Sequence, residues 1–158
     1  MSAGQRLLAP LWHRLAGPLQ WAVLWLSQAK FMVGVTGVVF DGEGRVLLLR
    51  HRFWPEGSWG LPGGYAHRGE ELEAALAREL REETGAAIAD VRLLRVTSGY
   101  RLRVEVCYSA RLAGGLGSLD PGEVLAAGFF PVDDLPAGLL RGHGRLVAEA
   151  ARRPSGAG

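Results

Sequence analysis

Between Glu70 and Thr84 the chain places Leu72, Leu76, Glu79 and Glu83 at helical spacing, and no other stretch constrains it as much. At about 100° per residue these four residues share nearly one azimuth of a helix. A face that is apolar in the first half of the helix therefore becomes acidic in the second. Glutamates meant only for solvent lie opposite the leucines; these continue the leucine stripe, which puts them at the rim of the interior, where an unpaired charge is costly. Glu79, Glu82 and Glu83 also stand at i, i+3 and i+4, a spacing at which like charges repel. A divalent cation is the usual neutraliser, and hard cations select carboxylate oxygen. The competing reading, exposed glutamates paired along the helix with Arg78 and Arg81, leaves the shared azimuth unexplained. Gly85 supplies the stop, as a C-terminal cap.

Ahead of the helix, Phe53 to Gly64 is broken by Pro55, Gly57, Gly60, Pro62, Gly63 and Gly64 and reads as a loop. Consecutive glycines let a backbone turn tightly and approach a ligand or metal. A cation held by the glutamates could also take a backbone carbonyl, that of Gly63 being the candidate. A plain loop punctuator is the alternative for the same pair.

The pattern Gly64, Glu70, Arg78-Glu79-Leu80, Glu82-Glu83, Gly85-Ala86 matches every specified position of the Nudix signature, and the chain resembles the Nudix hydrolases over residues 31–152. The resemblance implies an α/β (α+β) fold, an α/β/α sandwich with a mixed, largely antiparallel sheet. It implies a Mg²⁺- or Mn²⁺-dependent pyrophosphohydrolase. The bond cleaved would be a phosphoanhydride in a nucleoside triphosphate, or in another nucleoside diphosphate linked to a further moiety. Water would attack phosphorus with no covalent enzyme intermediate. Carried over by position, Glu82 and Glu83 would be the principal metal ligands and Glu79 a further ligand or the general base. Arg78 would orient the cluster, Glu70 would be its ion-pair partner and brace, and Gly63 would offer its carbonyl to the metal. Members of the family often recruit an acidic residue from a later loop; Glu123 is the first candidate here, ahead of Asp120 and Glu105.

Substrate recognition is less legible. Arg50 and Arg52 flank His51 at the end of a strand near the expected phosphate position, and Arg50 is the first choice for a phosphate contact. Trp54, Tyr65 and Tyr100, with Phe53, could stack on a base or ribose, although aromatic residues more often fill cores or interfaces. Neither the extended motif of the NADH-cleaving branch nor the coenzyme A motif is present, and the downstream proline of many ADP-ribose enzymes is missing. Nucleoside triphosphates are therefore expected ahead of nucleotide sugars. Two other functions compete with catalysis. One is a catalytically silent nucleotide-sensing module, disfavoured because every signature glutamate is kept; the other is a membrane-associated enzyme acting on lipid-linked or envelope nucleotides.

The remaining sequence fits this frame. Phe31 to Phe40 and Arg45 to Arg50 read as a hairpin, Val91 to Val96 and Tyr100 to Leu112 as strands around Thr97-Ser98-Gly99, and Gly128 to Val132 as a short strand. Asp133-Asp134-Leu135-Pro136 opens a final helix running to about Arg152. The domain expected is 31–152, between a helical, amphipathic extension at 1–30 and a disordered tail at 153–158. The extension is apolar, but Pro10, His13, Arg14, Pro18 and Gln20 interrupt it well short of the ~20 residues of a membrane span. A membrane role is the minority reading, a cytoplasmic location is expected, and a homodimer through the first helices is one assembly to test. With a net charge of +2 and arginines scattered along the chain, no nucleic-acid signal stands out. The single cysteine, Cys107, lies in an apolar run and is expected to be a buried, inert thiol.

Overall fold

The computed structural model describes Trp12 and residues 17–152, and it divides the chain into two compact units, Met1–Phe31 and Met32–Gly158. In the first unit, helix α1 (Gly17–Ser27) has no buried residue. Its apolar side chains, Leu19, Trp21, Val23, Leu24, Trp25 and Leu26, are distributed around its circumference. Most of the rest of the expected extension, and the tail at 153–158, lie outside the described residues.

In the second unit the valine-rich strand β1 (Met32–Phe40) runs parallel to β5 (Arg103–Ala113) along its whole length. Strand β2 (Val46–His51) meets β1 only at Phe40 and Val46 before the two diverge. The segment 60–65 fills the opening. Gly60 exchanges two backbone hydrogen bonds with Leu49, Gly37 N–H donates to the Pro62 carbonyl at 2.9 Å, and β3 (Gly63–Tyr65) pairs antiparallel with Gly34–Thr36. This wedge carries the two glycines into the middle of the sheet. The sheet order is β4-β5-β1-β2-β6, with β4 (Ala87–Tyr100) and β6 (Val124–Phe130) at its edges. One parallel pair among antiparallel ones makes it the expected mixed sheet.

Helix α2 (Leu72–Thr84) covers one face and α3 (His143–Ala151) the other. Successive residues of β2 divide between the two layers: Val46 and Leu48 pack with Val147 and Ala150 of α3, Leu47 and Leu49 with Leu80 of α2. That is why β2 is apolar without alternation, as a strand covered on both faces should be. Leu76 sits so close to β1 that a Cβ on Gly37 would come within 2.9 Å of it. Cys107 is buried as expected, and burial pushes its thiol up to about 12.

Four boundaries differ from the sequence reading. The helix begins at Leu72, because Glu70 turns back to accept the His67 N–H instead of entering it. The β4–β5 turn falls at Arg101 and Leu102, both at positive φ, and not at Thr97-Ser98-Gly99. Pairing of Val96 with Val106 and of Ser98 with Val104 sets that register, which leaves Gly99 at a strand irregularity. The last strand starts at Val124, recruited by β2. The final helix starts only at His143, because 138–140 pairs with the Trp59 backbone and Gly142, at φ +90, breaks the helical run.

Candidate active site

The C-terminal half of α2, the β3 wedge and the 114–123 loop converge on Glu83. Gly85 caps α2 in the left-handed region, donating its N–H to Arg81. A side chain there would run into Gly117, whose own N–H donates to the Thr84 carbonyl at 2.9 Å. One step on, Asp120 N–H donates to the Glu83 carbonyl at 3.0 Å. The loop is thus bound to the end of the helix, and Glu123 follows directly. Asp120 itself is occupied locally, its carboxylate accepting the Gly122 N–H at 2.8 Å.

Glu83 is 5% exposed, and its Oε2 has no hydrogen-bond partner, a property no other buried side-chain polar atom among the described residues shares. It accepts the backbone N–H of Gly63, which favours its charge. Desolvation outweighs this bond, and with the neighbouring carboxylates of Glu79 and Glu123 it pushes the Glu83 carboxyl up to about 8. Facing it are His51 Nε2, 3.8 Å from Glu83 Oε1, and Glu123 Oε2, 3.3 Å from the same nitrogen. His51, Glu83 and Glu123 each offer one ligand-type atom, and these lie within 4.8 Å of one another.

A second group is gathered by Arg78. Its guanidinium holds Glu70 through two bonds, Nε to Oε1 at 2.8 Å and NH2 to Oε2 at 3.0 Å. It also reaches Glu79 at 2.9 Å, Glu82 at 3.1 Å and the Tyr65 carbonyl at 3.0 Å. This planar fork saturates its donors on oxygen, a task for which arginine is shaped. It holds the Glu70 carboxyl down at about 2, with the His67 N–H helping. The Glu79 carboxylate lies against Gly64, where a side chain on the glycine would displace it. Glu82 remains 58% exposed.

Glu79, Glu83, Glu123 and His51 line a cleft of about 860 Å³ that Arg95, Arg103, Arg141 and Arg145 also line. Of the substrate candidates, Trp54 and Tyr65 line it, and Arg103 donates to the Tyr65 hydroxyl at 3.0 Å. Arg50 is not among the lining residues. Arg52 is committed elsewhere, donating from Nε to the Gly122 carbonyl and from NH2 to the Pro121 carbonyl. Tyr100 ends β4, and its side chain lies outside what the structure describes. Glu105 accepts from Thr36 and Arg103 on the cleft wall, in a different group from Glu83. The sequence places His51 near the phosphate position without marking it out from Arg50 and Arg52, and it does not single out Arg103 or His143, which also line the cleft. A bulge between Arg50 and His51 sets which of them turns to the site, and no local residue type announces it. The Arg103/Glu105 alternation was a usable signal.

Comparison with known proteins agrees with this layout. A MutT NUDIX hydrolase structure from Burkholderia pseudomallei superposes with a TM-score of 0.67 at 31% identity, covering 77% of this chain and 98% of that one. The NAD-capped RNA hydrolase NudC of Mycobacterium bovis (strain BCG / Pasteur 1173P2) is 31% identical over 116 residues, 72% of this chain and 37% of the relative. The RNA pyrophosphohydrolase of Caulobacter vibrioides is 48% identical over 69 residues, 43% of this chain and 38% of the relative. The chain thus spans little more than a third of the length of these curated relatives. Fold and matches together define the Nudix fold class. Residues 30–150 match the family model described as NUDIX domain, and the chain belongs to that family, as its signature implied.

Proposed function

We propose that this chain uses a divalent cation to hydrolyse a phosphoanhydride bond in a nucleotide. A nucleoside triphosphate is the first substrate class, and a nucleoside diphosphate linked to a further group the second. The observation that carries the reading is the orphaned Oε2 of Glu83, a buried carboxylate oxygen with acidic neighbours and no donor. Such a group is stable as a carboxylate only when a cation completes it. The donors at hand are mostly carboxylates, with His51 beside them, and a set dominated by hard oxygen fits Mg²⁺ or Mn²⁺; the Gly63 carbonyl is a further candidate ligand. Glu83 and Glu123 would hold the cation, with Glu82 and Glu79 completing the set or, for Glu79, taking the proton of the attacking water. When bound, the cation would neutralise phosphate oxygens and acidify that water. Arg78, braced by Glu70, keeps Glu79 and Glu82 from dispersing. The cleft-lining arginines would attract the remaining anionic part of the substrate, and Trp54 and Tyr65 would offer it faces to stack on.

RNA 5′ ends are a second reading, supported by the names of the NudC and RNA pyrophosphohydrolase relatives. The silent-module alternative is weakened because Glu70, Arg78 and Glu79 are assembled and not merely retained. We take 31–152 as the hydrolase domain, 1–30 as a helical extension and 153–158 as a tail. The working location is the cytoplasm; among the described residues no helix is long and apolar enough to cross a membrane. A homodimer through the extension is testable by sedimentation of full-length and 31–158 chains.

The functional test is a screen for release of phosphate, pyrophosphate or a shorter nucleotide from nucleoside triphosphates, dinucleoside polyphosphates, nucleotide sugars and 5′-triphosphorylated RNA, with Mg²⁺ and with Mn²⁺. Release from at least one class, abolished by chelator, is expected. No release from any class with either ion would overturn the reading.

A further inference from the structure

His51 and Arg52 are absent from the signature, yet both are spent on the 121–123 segment. Arg52 makes three bonds to it: backbone N–H to the Glu123 carbonyl at 2.7 Å, Nε to the Gly122 carbonyl at 3.1 Å and NH2 to the Pro121 carbonyl at 3.0 Å. His51 reaches past the backbone to the Glu123 side chain, at 3.3 Å. Its other ring nitrogen, Nδ1, accepts a long contact from the Phe53 N–H at 3.4 Å. An imidazole that accepts at Nδ1 carries its proton on Nε2. Nε2 is therefore a donor aimed between the Glu123 and Glu83 carboxylates, and the nitrogen lone pair a cation would need is not presented to the site.

We propose that His51 and Arg52 form a clamp that positions Glu123 as the cation ligand opposite Glu83. The inference rests on the cation-site reading above. Glu123 is half exposed, with a side-chain exposure of 51%, and left to itself its carboxylate would sample several rotamers in solvent. The 117–120 stretch is tied to the end of α2 through the Thr84 and Glu83 carbonyls. The clamp ties the following stretch to the end of β2. Glu123 is thereby held from two sides, and its carboxylate is aimed at Glu83 by the imidazole N–H. Groups that orient ligating carboxylates in this way commonly change metal affinity by 10–100-fold when removed. His51 is thus a positioning residue acting through Glu123 and not itself a ligand.

The test is a Mn²⁺ titration of the full chain followed by electron paramagnetic resonance, with no nucleotide present. Substitutions are His51→Leu, His51→Gln, Arg52→Met, Glu123→Gln and Glu83→Gln, and the double variant His51→Leu/Glu123→Gln; circular dichroism checks folding. We expect His51→Leu to weaken Mn²⁺ about tenfold or more. His51→Gln, which keeps an N–H donor near the Nε2 position, should restore most of that affinity. In the Glu123→Gln background His51→Leu should cost nothing further, since a residue acting through Glu123 has nothing left to position. Arg52→Met, which leaves the imidazole in place, should weaken Mn²⁺ in the same direction and serves if His51→Leu fails to fold. The clamp is overturned if the two losses add, if His51→Leu or Arg52→Met binds as wild type, or if spin-echo modulation of the bound Mn²⁺ shows a ¹⁴N coupling that His51→Leu removes. Wild type that fails to bind Mn²⁺, or binds it equally well after Glu83→Gln, overturns the cation-site reading and the clamp with it. Binding that needs Glu83 and ignores His51 and Arg52 overturns the clamp alone.

Discussion

The Glu79 carboxylate occupies the space that any side chain on Gly64 would need: a Cβ built there falls on the carboxyl group itself. The signature glycine is thus a steric complement of the signature glutamate, one on the β3 wedge and the other on α2. Gly64→Ala should push the Glu79 carboxylate off Arg78 and lower turnover by about two orders of magnitude, the scale of a 1 Å misplacement near the chemistry. Thermal unfolding should change little, because the displaced group sits at the cleft and not in the core. Steady-state kinetics beside a melting curve checks both.

Arg78→Lys keeps the charge and loses the fork. One ammonium cannot hold both Glu70 oxygens, Glu79, Glu82 and the Tyr65 carbonyl together. A fall in kcat of tenfold or more, with a folded protein by circular dichroism, is the expected outcome. Activity within twofold of wild type would remove Arg78 as organiser.

For Glu83 the sign of the pH effect follows from its raised pKa. In the cation-free folded chain the carboxyl keeps its proton up to about 8, whereas an unfolded glutamate loses it near its ordinary 4.5. Stability from this group is complete below 4.5 and is lost as the pH rises towards 8, at about 1.4 kcal/mol per pKa unit as an upper scale. In chelator, the wild type should therefore lose stability relative to Glu83→Gln between pH 5 and pH 8. Denaturant titrations at several pH values measure the difference, and parallel curves would contradict it.

Leu76 is fully buried beneath β1. Leu76→Ala should destabilise the domain by about 2–5 kcal/mol. Any loss of activity should track the unfolded fraction. A denaturation curve compared with activity at low temperature separates the two.

Much of this architecture is local enough to read from residue order. The shared azimuth of Leu76, Glu79 and Glu83 is a property of one helix, and the alternation of Arg103, Val104, Glu105 and Val106 of one strand. Both survive in the structure, with the leucine in the core and the charged residues on the cleft. What escaped depends on partners distant in sequence. The phase of His51 is set by a bulge against β6, and the late start of α3 by pairing with the Trp59 backbone. The commitment of Arg52 is set by carbonyls some seventy residues away. None of these has a periodic trace in its own neighbourhood.

The most direct measurement is a crystal soaked in Mn²⁺ with diffraction collected at the manganese absorption edge. An anomalous peak in contact with Glu83 Oε2, with the Glu123 carboxylate drawn to the same ion, is the predicted result. Full occupancy of Mn²⁺ elsewhere, or none at all, with Oε2 still unpartnered, would contradict the idea that this buried carboxylate exists to hold a cation.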